Sequence, residues 1–177
     1  DAGFTLIETV ILVLVIGILA AIAAPSFSAW ADRYRLDNSL ALLQGALQEA
    51  QHQAIRKSQF CHIMIDPTAL TVTESTPGSG CLPTGRRMLD QSDRNSGVEA
   101  GFVMVTDSPS PKPTVSFSFK GTTSTANVFV IFKPHSSIPM RCLAVSQGIG
   151  MIRVGRYSSA TNPPLAVSAD RCQTRSQ

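Results

Sequence analysis

Apolar residues are concentrated at the start of the chain, and this concentration predicts its first element. Residues 10–24, VILVLVIGILAAIAA, carry no charge. With residues 4–9 in front, the apolar stretch reaches about twenty residues, enough for a helix to cross the hydrocarbon core of a bilayer. We therefore predict a helix that is buried in a membrane or inside a filament. Glu8 interrupts the apolar pattern, and because an unpaired carboxylate is costly in lipid, we expect it to have a partner.

Further along, apolar residues recur at every third or fourth position, which is typical of a helix with one buried face. The predicted buried stripe consists of Leu36, Leu40, Leu43, Leu47, Ala50, Ala54 and Ile55. The opposite face carries Arg33, Asp37, Gln44, Gln48, Gln51 and Lys57. A single helix from Phe4 to Lys57 would be about 80 Å long, so its first half is expected to be buried outside the domain.

Two residues of the apolar half favour a local disturbance of the helix. Pro25 lacks a backbone N–H and its ring disfavours a straight helix, so we expect a kink or local melting there. Gly17 weakens the same region through its backbone freedom, although close helix packing accounts for it equally well.

After Ser58 the chain changes to short β-prone runs between clusters of Gly, Pro, Ser, Thr and Asn. The predicted strands are Cys61–Asp66, Leu70–Glu74, Arg87–Asp90, Gly101–Thr106, Thr114–Phe119, Val128–Lys133, Arg141–Ser146 and Met151–Tyr157. The stretch Ser158–Pro164 is expected to be a mobile loop. The predicted fold class is α+β, in which a long N-terminal helix, half transmembrane and half amphipathic, packs on a mostly antiparallel β-sheet domain.

Charge is unevenly distributed along the chain. The net charge is +3, and from Thr122 onward six basic residues stand against the single acid Asp170. A basic end of this kind favours polyanions such as DNA, or an anionic lipid surface. An ordinary solvated surface explains the same composition, and both readings stay open at this stage.

All four cysteines lie outside the apolar segment, at Cys61, Cys81, Cys142 and Cys172. Their spacings exclude the short C-x-x-C clusters of structural zinc sites, and in an oxidising compartment pairing is the default. Three pairings are possible. We favour Cys61 with Cys81 and Cys142 with Cys172, because each of these disulfides closes the shorter loop.

Catalytic and metal-binding patterns are not found in the sequence. His52, His62 and His135 lack the spacing of a metal-binding set, and there is no G-x-S-x-G elbow. The glycines of residues 147–150 precede a predicted strand instead of a helix, so they lack the amides that hold a phosphate. We expect no catalytic residues, no metal and no cofactor.

Residues 3–8, Gly-Phe-Thr-Leu-Ile-Glu, followed by the apolar run, resemble the processing site of type IV prepilins and of type II secretion pseudopilins. The resemblance implies that a prepilin peptidase cleaves between Gly3 and Phe4 and that the new amino terminus of Phe4 is methylated. It also implies that Glu8 pairs with the terminal ammonium of a neighbouring subunit, and that the helix between Gly17 and Pro25 can unwind on assembly. A plain membrane anchor with an interfacial Glu8 is the alternative.

A second resemblance covers most of the chain. The helical segment of residues 42–58, the strand after it and the late segment of residues 142–156 are similar to the GspH/FimT group of minor pilins and pseudopilins. In FimT-like members, a G-R-x-R motif near the carboxyl end is associated with DNA binding. The matching residues 150–153, Gly-Met-Ile-Arg, lack the first arginine. The candidate DNA-binding residues here are Arg153, Arg156, Tyr157, Arg171 and Arg175.

The spacing of two of these arginines limits the DNA hypothesis. Arg153 and Arg156 are an odd number of positions apart, so a regular strand would point them to opposite faces. They would form one patch only if a bulge or the end of the strand intervened, for example near Gly155.

The expected organisation is a leader remnant at residues 1–3, a transmembrane or filament-core helix at 4–27, its amphipathic half at 28–58, and a β-rich globular domain at 59–177. The resemblance implies a non-enzymatic minor type IV pilin with a DNA-binding role in natural transformation. The alternatives are a priming or tip pilin without DNA binding, or a type II secretion pseudopilin. The implied partners are other pilin subunits, the inner-membrane assembly platform, the prepilin peptidase and double-stranded DNA. The implied location is the inner membrane, as a single-pass protein, and then the periplasm and cell-surface pilus.

Overall fold

The computed structural model describes residues 5–90 and 101–174, with only the backbone of residues 22–26. It contains one long helix, α1 (Leu6–Lys57), followed by a β-rich region. The described chain forms two units, one up to Tyr34 and one from Arg35 onward. The first unit consists of the first part of α1, and its apolar side chains are exposed.

The second unit contains two antiparallel sheets. The first sheet has the order β3-β2-β1-β5 and the second has the order β4-β6-β7-β8-β9. Their strands are β1 (Cys61–Asp66), β2 (Thr71–Glu74), β3 (Arg87–Met88), β4 (Val103–Thr106), β5 (Thr114–Phe117), β6 (Asn127–Phe132), β7 (Arg141–Val145), β8 (Ile152–Tyr157) and β9 (Cys172–Thr174). A short 3-10 helix at Ala169–Arg171 leads into β9.

The main core lies between the second part of α1 and the sheets. The helix contributes a stripe of small and aliphatic side chains, and the strands contribute their alternate residues. This core includes Leu36, Leu43, Leu47, Ala50, Ile63, Ile65, Val115, Phe117, Phe129, Ile131 and Leu143. The α+β class, with a long helix packed on antiparallel sheets, is therefore confirmed.

A second, smaller core lies on the other face of the second sheet. It contains Val128, Val130, Phe132, Met140, Cys142, Ala144, Tyr157 and Cys172, with Val105 and Val167 packed against it. Because both faces of β6 are covered, all six of its residues are buried. Chain-terminal residues around Val167 and Cys172 thus take part in covering this sheet.

The strands agree closely with the predicted ones. All eight predicted strands are present. β1 has the predicted bounds, the other seven differ by one or two residues at one or both ends, and β9 was not predicted. One predicted residue of the buried stripe is wrong, since Ile55 is about half exposed. Gln51 was assigned to the solvent face but is half-buried, for a reason given below.

The two disulfides are those that the shorter-loop argument favoured. Cys61 at the start of β1 is bonded to Cys81, and Cys142 in β7 is bonded to Cys172 in β9. The second disulfide crosses β8, which lies between β7 and β9 in the sheet. It therefore ties the terminal strand to the middle of the sheet.

Candidate assembly and binding surfaces

Glu8 lies in the first turn of α1. Its backbone N–H donates to Oγ1 of Thr5 over 3.4 Å, as in the T-x-x-E capping box that the sequence contains at residues 5–8. The sequence interpretation overlooked this motif. A carboxylate in the first turn also interacts favourably with the helix dipole. Gly3 and Phe4, the predicted processing residues, lie outside the described residues, and the pairing of Glu8 with another subunit stays a prediction.

The first unit presents a long apolar surface. Its large aliphatic side chains are between about half and four-fifths exposed, and they are Leu6, Ile7, Val10, Ile11, Leu12, Val13, Leu14, Val15, Ile16, Ile18 and Leu19. Within the described residues, no helix combines the length and apolar character needed to span a membrane. An exposed apolar surface of this extent marks an interaction site.

The two helix-disturbing residues both lie inside α1. The helix runs through Gly17 and Pro25 without a break. A Cβ added at Gly17 would meet nothing within 4 Å, so nothing in the described chain requires a glycine there. Melting or kinking of this segment on assembly stays a prediction.

Three aromatic side chains form a ladder on α1. The ring centroids of Phe27 and Trp30 are 5.9 Å apart, and those of Trp30 and Tyr34 are 6.1 Å apart. All three side chains are at least 60% exposed. The i, i+3, i+7 spacing of these aromatic residues is visible in the sequence, but the sequence interpretation did not use it.

The predicted DNA-binding residues of β8 do not form one surface. The β7–β8 pairing is regular from Arg141 opposite Arg156 to Val145 opposite Ile152, so no bulge intervenes. Arg153 and Arg156 are both exposed, and their odd spacing in a regular strand places them on opposite faces. A single Arg153–Arg156 patch is therefore excluded.

Tyr157 is a correction to the sequence interpretation. Its ring is 5% exposed and belongs to the second core, so it offers no face on which a base could stack. Its hydroxyl donates to the carbonyl of Ala166 and accepts the backbone N–H of Ser168, each over 3.0 Å. Tyr157 thus fixes the terminal segment to the sheet.

The remaining basic candidates lie near the end of the chain. Arg171 is exposed in the 3-10 helix, and its carbonyl accepts the backbone N–H of Ser158 over 2.9 Å. Arg156 is also exposed and lies opposite Gln173 of β9. These contacts bring Arg156 and Arg171 to the same end of neighbouring strands. Arg175 lies outside the described residues.

Gln51 connects α1 to two loops that are distant in sequence. Its Nε2 donates to the carbonyl of Gly121 over 2.8 Å and to that of Gly150 over 3.1 Å. Both glycines have positive φ angles, and a Cβ at Gly150 would lie 2.4 Å from the carbonyl oxygen of Gly121. The glycine that begins the G-M-I-R stretch is therefore required by packing.

Two carboxylates have lowered pKa values, each with a structural cause. Hydrogen bonding from the Ala69 backbone N–H, followed by the contact with Lys112, lowers the pKa of Asp66. Burial alone would raise the pKa of Glu74, but hydrogen bonds from the Leu82 backbone and other donors of that loop outweigh it and hold the pKa below its usual value. Both groups stabilise turns.

No group of three or more potential metal ligands occurs among the residues that the structure describes. The histidine that is most engaged, His62, stacks on Phe60, and its Nδ1 lies 2.7 Å from Oγ of Ser116. This arrangement is a local surface contact between an imidazole and a serine hydroxyl on neighbouring strands.

Comparison with known structures defines the class of fold. The crystal structure of the type IV minor pilin FimU from Pseudomonas aeruginosa matches with a TM-score of 0.52 and 17% identity, over 77% of this chain and 98% of that one. A second crystal form of FimU gives a TM-score of 0.49 at 17% identity, over 67% and 91% of the two chains. The minor pseudopilin EpsH from the type II secretion system of Vibrio cholerae gives 0.39 at 19% identity, over 74% and 95%.

The chain has a type IV pilin-like fold, as the first of these structures shows. No family model matches the sequence. The fold is consistent with the resemblance to the GspH/FimT group, which rests on the sequence motifs given above.

Proposed function

We propose that this chain is a non-enzymatic minor pilin, a subunit of a type IV pilin-like filament. One observation carries the proposal. The first unit, which is the first part of α1, exposes a continuous apolar surface around Glu8. The second unit has a core of its own. A surface of this kind is stable only when lipid or other protein covers it.

In the proposed mechanism, lipid covers the apolar surface first and other pilin subunits cover it later. Before assembly, residues 4–27 anchor the chain in the inner membrane as a single span, and the peptidase cleaves between Gly3 and Phe4. During assembly, the same apolar helix exchanges lipid for the helices of neighbouring pilin subunits, and the sheet domain remains outside. The assembly platform of the inner membrane supplies the machinery for this transfer.

Glu8 sets the register of the helix in this mechanism. Its carboxylate pairs with the methylated amino terminus of Phe4 in a neighbouring subunit. A buried pair costs desolvation energy, so it contributes more to choosing one register than to overall stability. The apolar side chains next to Glu8 permit many registers, and one charge pair selects among them.

The Glu8 hypothesis has a direct test with a matched control. We expect Glu8→Ala to reduce the amount of the chain in sheared filaments by at least about tenfold at unchanged cellular level, as expected for a buried charge left unpaired. Thr5→Ala removes the capping oxygen but keeps the carboxylate, and we expect it to assemble nearly normally. Equal losses in the two variants would show that Glu8 acts through helix capping, and full incorporation of Glu8→Ala would refute the proposal.

A role in DNA uptake is a second candidate, and only one observation favours it. Arg156 and Arg171 are both exposed at the same end of the second sheet, where the chain is basic. Phosphate contacts from arginine are charge-assisted and salt-dependent. This surface differs from the one that the motif suggested, because it includes neither Arg153 nor Tyr157.

The DNA role is tested by titrating the chain with short duplex DNA at two salt concentrations. We expect Arg156→Gln/Arg171→Gln to weaken binding and to reduce the salt slope by about two, whereas Arg153→Gln reduces it by at most about one. If neither variant changes a salt-sensitive affinity, this surface does not bind DNA, and the priming, tip or secretion-pseudopilin roles remain.

A further inference from the structure

Within the part of the chain that the structure describes, nothing covers the aromatic ladder of Phe27, Trp30 and Tyr34. Its rings contact one another, but each side chain remains at least 60% exposed. Three large rings exposed on one helix face are unusual for a water-facing surface, because burial of each ring contributes substantially to stability. The ladder therefore requires a covering environment.

The position of the ladder along α1 indicates which environment that is. The uncharged run ends at Ala31, just before Asp32. Phe27 and Trp30 lie within its last five residues, and Tyr34 follows it by about 5 Å along the helix axis. The polar layer of a bilayer extends about 5–8 Å beyond each side of the hydrocarbon core. Phe27 and Trp30 therefore lie where the hydrocarbon core meets this layer, and Tyr34 lies within it.

Two positive charges beside the ladder complement the phosphate of a lipid headgroup. Arg33 and Arg35 are the sequence neighbours of Tyr34, so they lie about 100° to either side of it around the helix. Both are exposed. Guanidinium groups at this level can contact lipid phosphates while the aromatic rings lie among the headgroups and upper acyl chains.

A second copy of the chain fits this surface less well. Two identical ladders that faced each other would bring the same arginines together, and like charges at an interface oppose association. We propose that Phe27, Trp30 and Tyr34 form an interfacial anchor that lies in the headgroup layer of an anionic bilayer, with Arg33 and Arg35 on lipid phosphates. This inference rests on the membrane-anchored stage of the proposed function.

The chain carries its own probe, since Trp30 is its single tryptophan. The full chain is reconstituted into vesicles of phosphatidylethanolamine and phosphatidylglycerol, and its fluorescence is quenched with nitroxides placed on the headgroup, high on the acyl chain or deep in the bilayer. We expect emission at shorter wavelength than that of N-acetyltryptophanamide in water, and headgroup or shallow quenching at least about twofold stronger than deep quenching.

The arginines are tested in the same vesicles. We expect Arg33→Gln/Arg35→Gln to reduce headgroup quenching of Trp30 by about twofold in anionic vesicles and to change it little in phosphatidylcholine vesicles. The control is Arg86→Gln/Arg153→Gln, which removes two exposed arginines that are far from the ladder in sequence. Equal effects of the two double variants would overturn the role of Arg33 and Arg35.

Flotation of the vesicles separates the two ways in which the proposal can fail. If the chain floats with vesicles but Trp30 emits as in water, or is quenched most strongly by the deep nitroxide, the interfacial anchor is wrong and the membrane stage stands. If the chain does not float at all, the membrane stage of the proposed function fails with it. A blue shift that appears without lipid and grows with protein concentration would identify a second copy as the occupant and overturn the proposal.

Discussion

At the scale of single residues, Gln51 supplies hydrogen-bond donors to the backbone carbonyls of two loops. Its side-chain amide supplies donors to the carbonyls of Gly121 and Gly150. Both glycines are buried, so these carbonyls have limited access to water. A buried carbonyl without a donor is costly, which makes one amide on α1 important for two distant loops.

The first prediction concerns this amide. We expect Gln51→Leu to lower the free energy of unfolding by about 1–3 kcal/mol, because it leaves both carbonyls without their donor. Urea unfolding of the chain in detergent micelles, followed by circular dichroism, measures the effect. Gln48→Leu is the control, since Gln48 is exposed on the same helix. Equal stability of the two variants would contradict the prediction.

The second prediction concerns the acid stability of the loop held by Glu74. The pKa of Glu74 is lower in the folded chain than its ordinary value of 4.5, so the unfolded chain takes up the proton first as the pH falls. The stabilisation is therefore complete above about pH 4.5 and is lost as the pH falls through the folded pKa.

We expect Glu74→Gln to be less stable than the native chain at pH 7 and to lose less stability between about pH 5 and about pH 3. Urea midpoints at several pH values measure this difference. Asp170→Asn, which changes an exposed acid near the end of the chain, serves as the control. A variant whose midpoints run parallel to those of the native chain would disprove the linkage.

At the scale of elements, β9 is held against β8 at unusually close range. A Cβ added at Gly155 would lie 2.1 Å from the carbonyl oxygen of Gln173. The disulfide between Cys142 and Cys172 holds the first residue of β9. Tyr157 and both cysteines belong to the second core. Gly155 is thus the position at which β8 tolerates no side chain.

The third prediction is that Gly155→Ala displaces β9. The added methyl group collides with backbone, so we expect a loss of about 1–3 kcal/mol in stability and faster amide hydrogen exchange at residues 172–174. Exchange measured by mass spectrometry reports both changes. Gly17→Ala provides the comparison, because a Cβ there meets no atom within 4 Å. Protected β9 amides in Gly155→Ala would rule out the displacement.

A helix or strand could be predicted from the sequence when its own residues carry the pattern that defines it. The stripe of α1 and the strands other than β3 and β9 extend over at least four residues, so the sequence indicates them. β9 has only three residues, and its position depends on β8 and on a disulfide. Such a strand leaves no periodic signal.

Long-range contacts explain the other differences. The partners of Gln51 are 70 and 99 positions away, so nothing near Gln51 distinguishes it from the solvent-facing glutamines. Tyr157 was assigned to the surface because the segment that covers it has no periodic pattern. The sequence therefore showed no sign that this segment packs on the sheet. The opposite orientation of Arg153 and Arg156, in contrast, follows from strand parity alone and agrees with the observed pairing.

At the scale of the whole molecule, the two units have opposite physical requirements. The first unit exposes its apolar residues, which lipid or other subunits cover in the proposed function. The second unit encloses two cores and is closed by two disulfides, each of which contributes about 2–4 kcal/mol in typical cases. In the proposed function, one chain thereby combines a membrane anchor with a domain that stays folded when lipid is exchanged for other subunits.

The fourth prediction follows from this division. Every buried core residue lies at Leu36 or later in the described chain, so a fragment of residues 28–177 should contain all that its fold requires. We expect this fragment to be monomeric in size-exclusion chromatography without detergent, with both disulfides formed. Its urea midpoint should match that of the second unit in the full chain in micelles.

Removal of the second disulfide from the same fragment provides the contrasting condition. We expect the Cys142→Ser/Cys172→Ser variant to release β9 and to expose Tyr157, because that disulfide and the Tyr157 hydroxyl hold the same segment. An oxidised fragment that aggregates or lacks near-ultraviolet circular dichroism would show that the second unit depends on the helix before it. The contacts between that helix and the second unit would then have to persist when lipid is exchanged for neighbouring subunits. The domain could not fold without the helix.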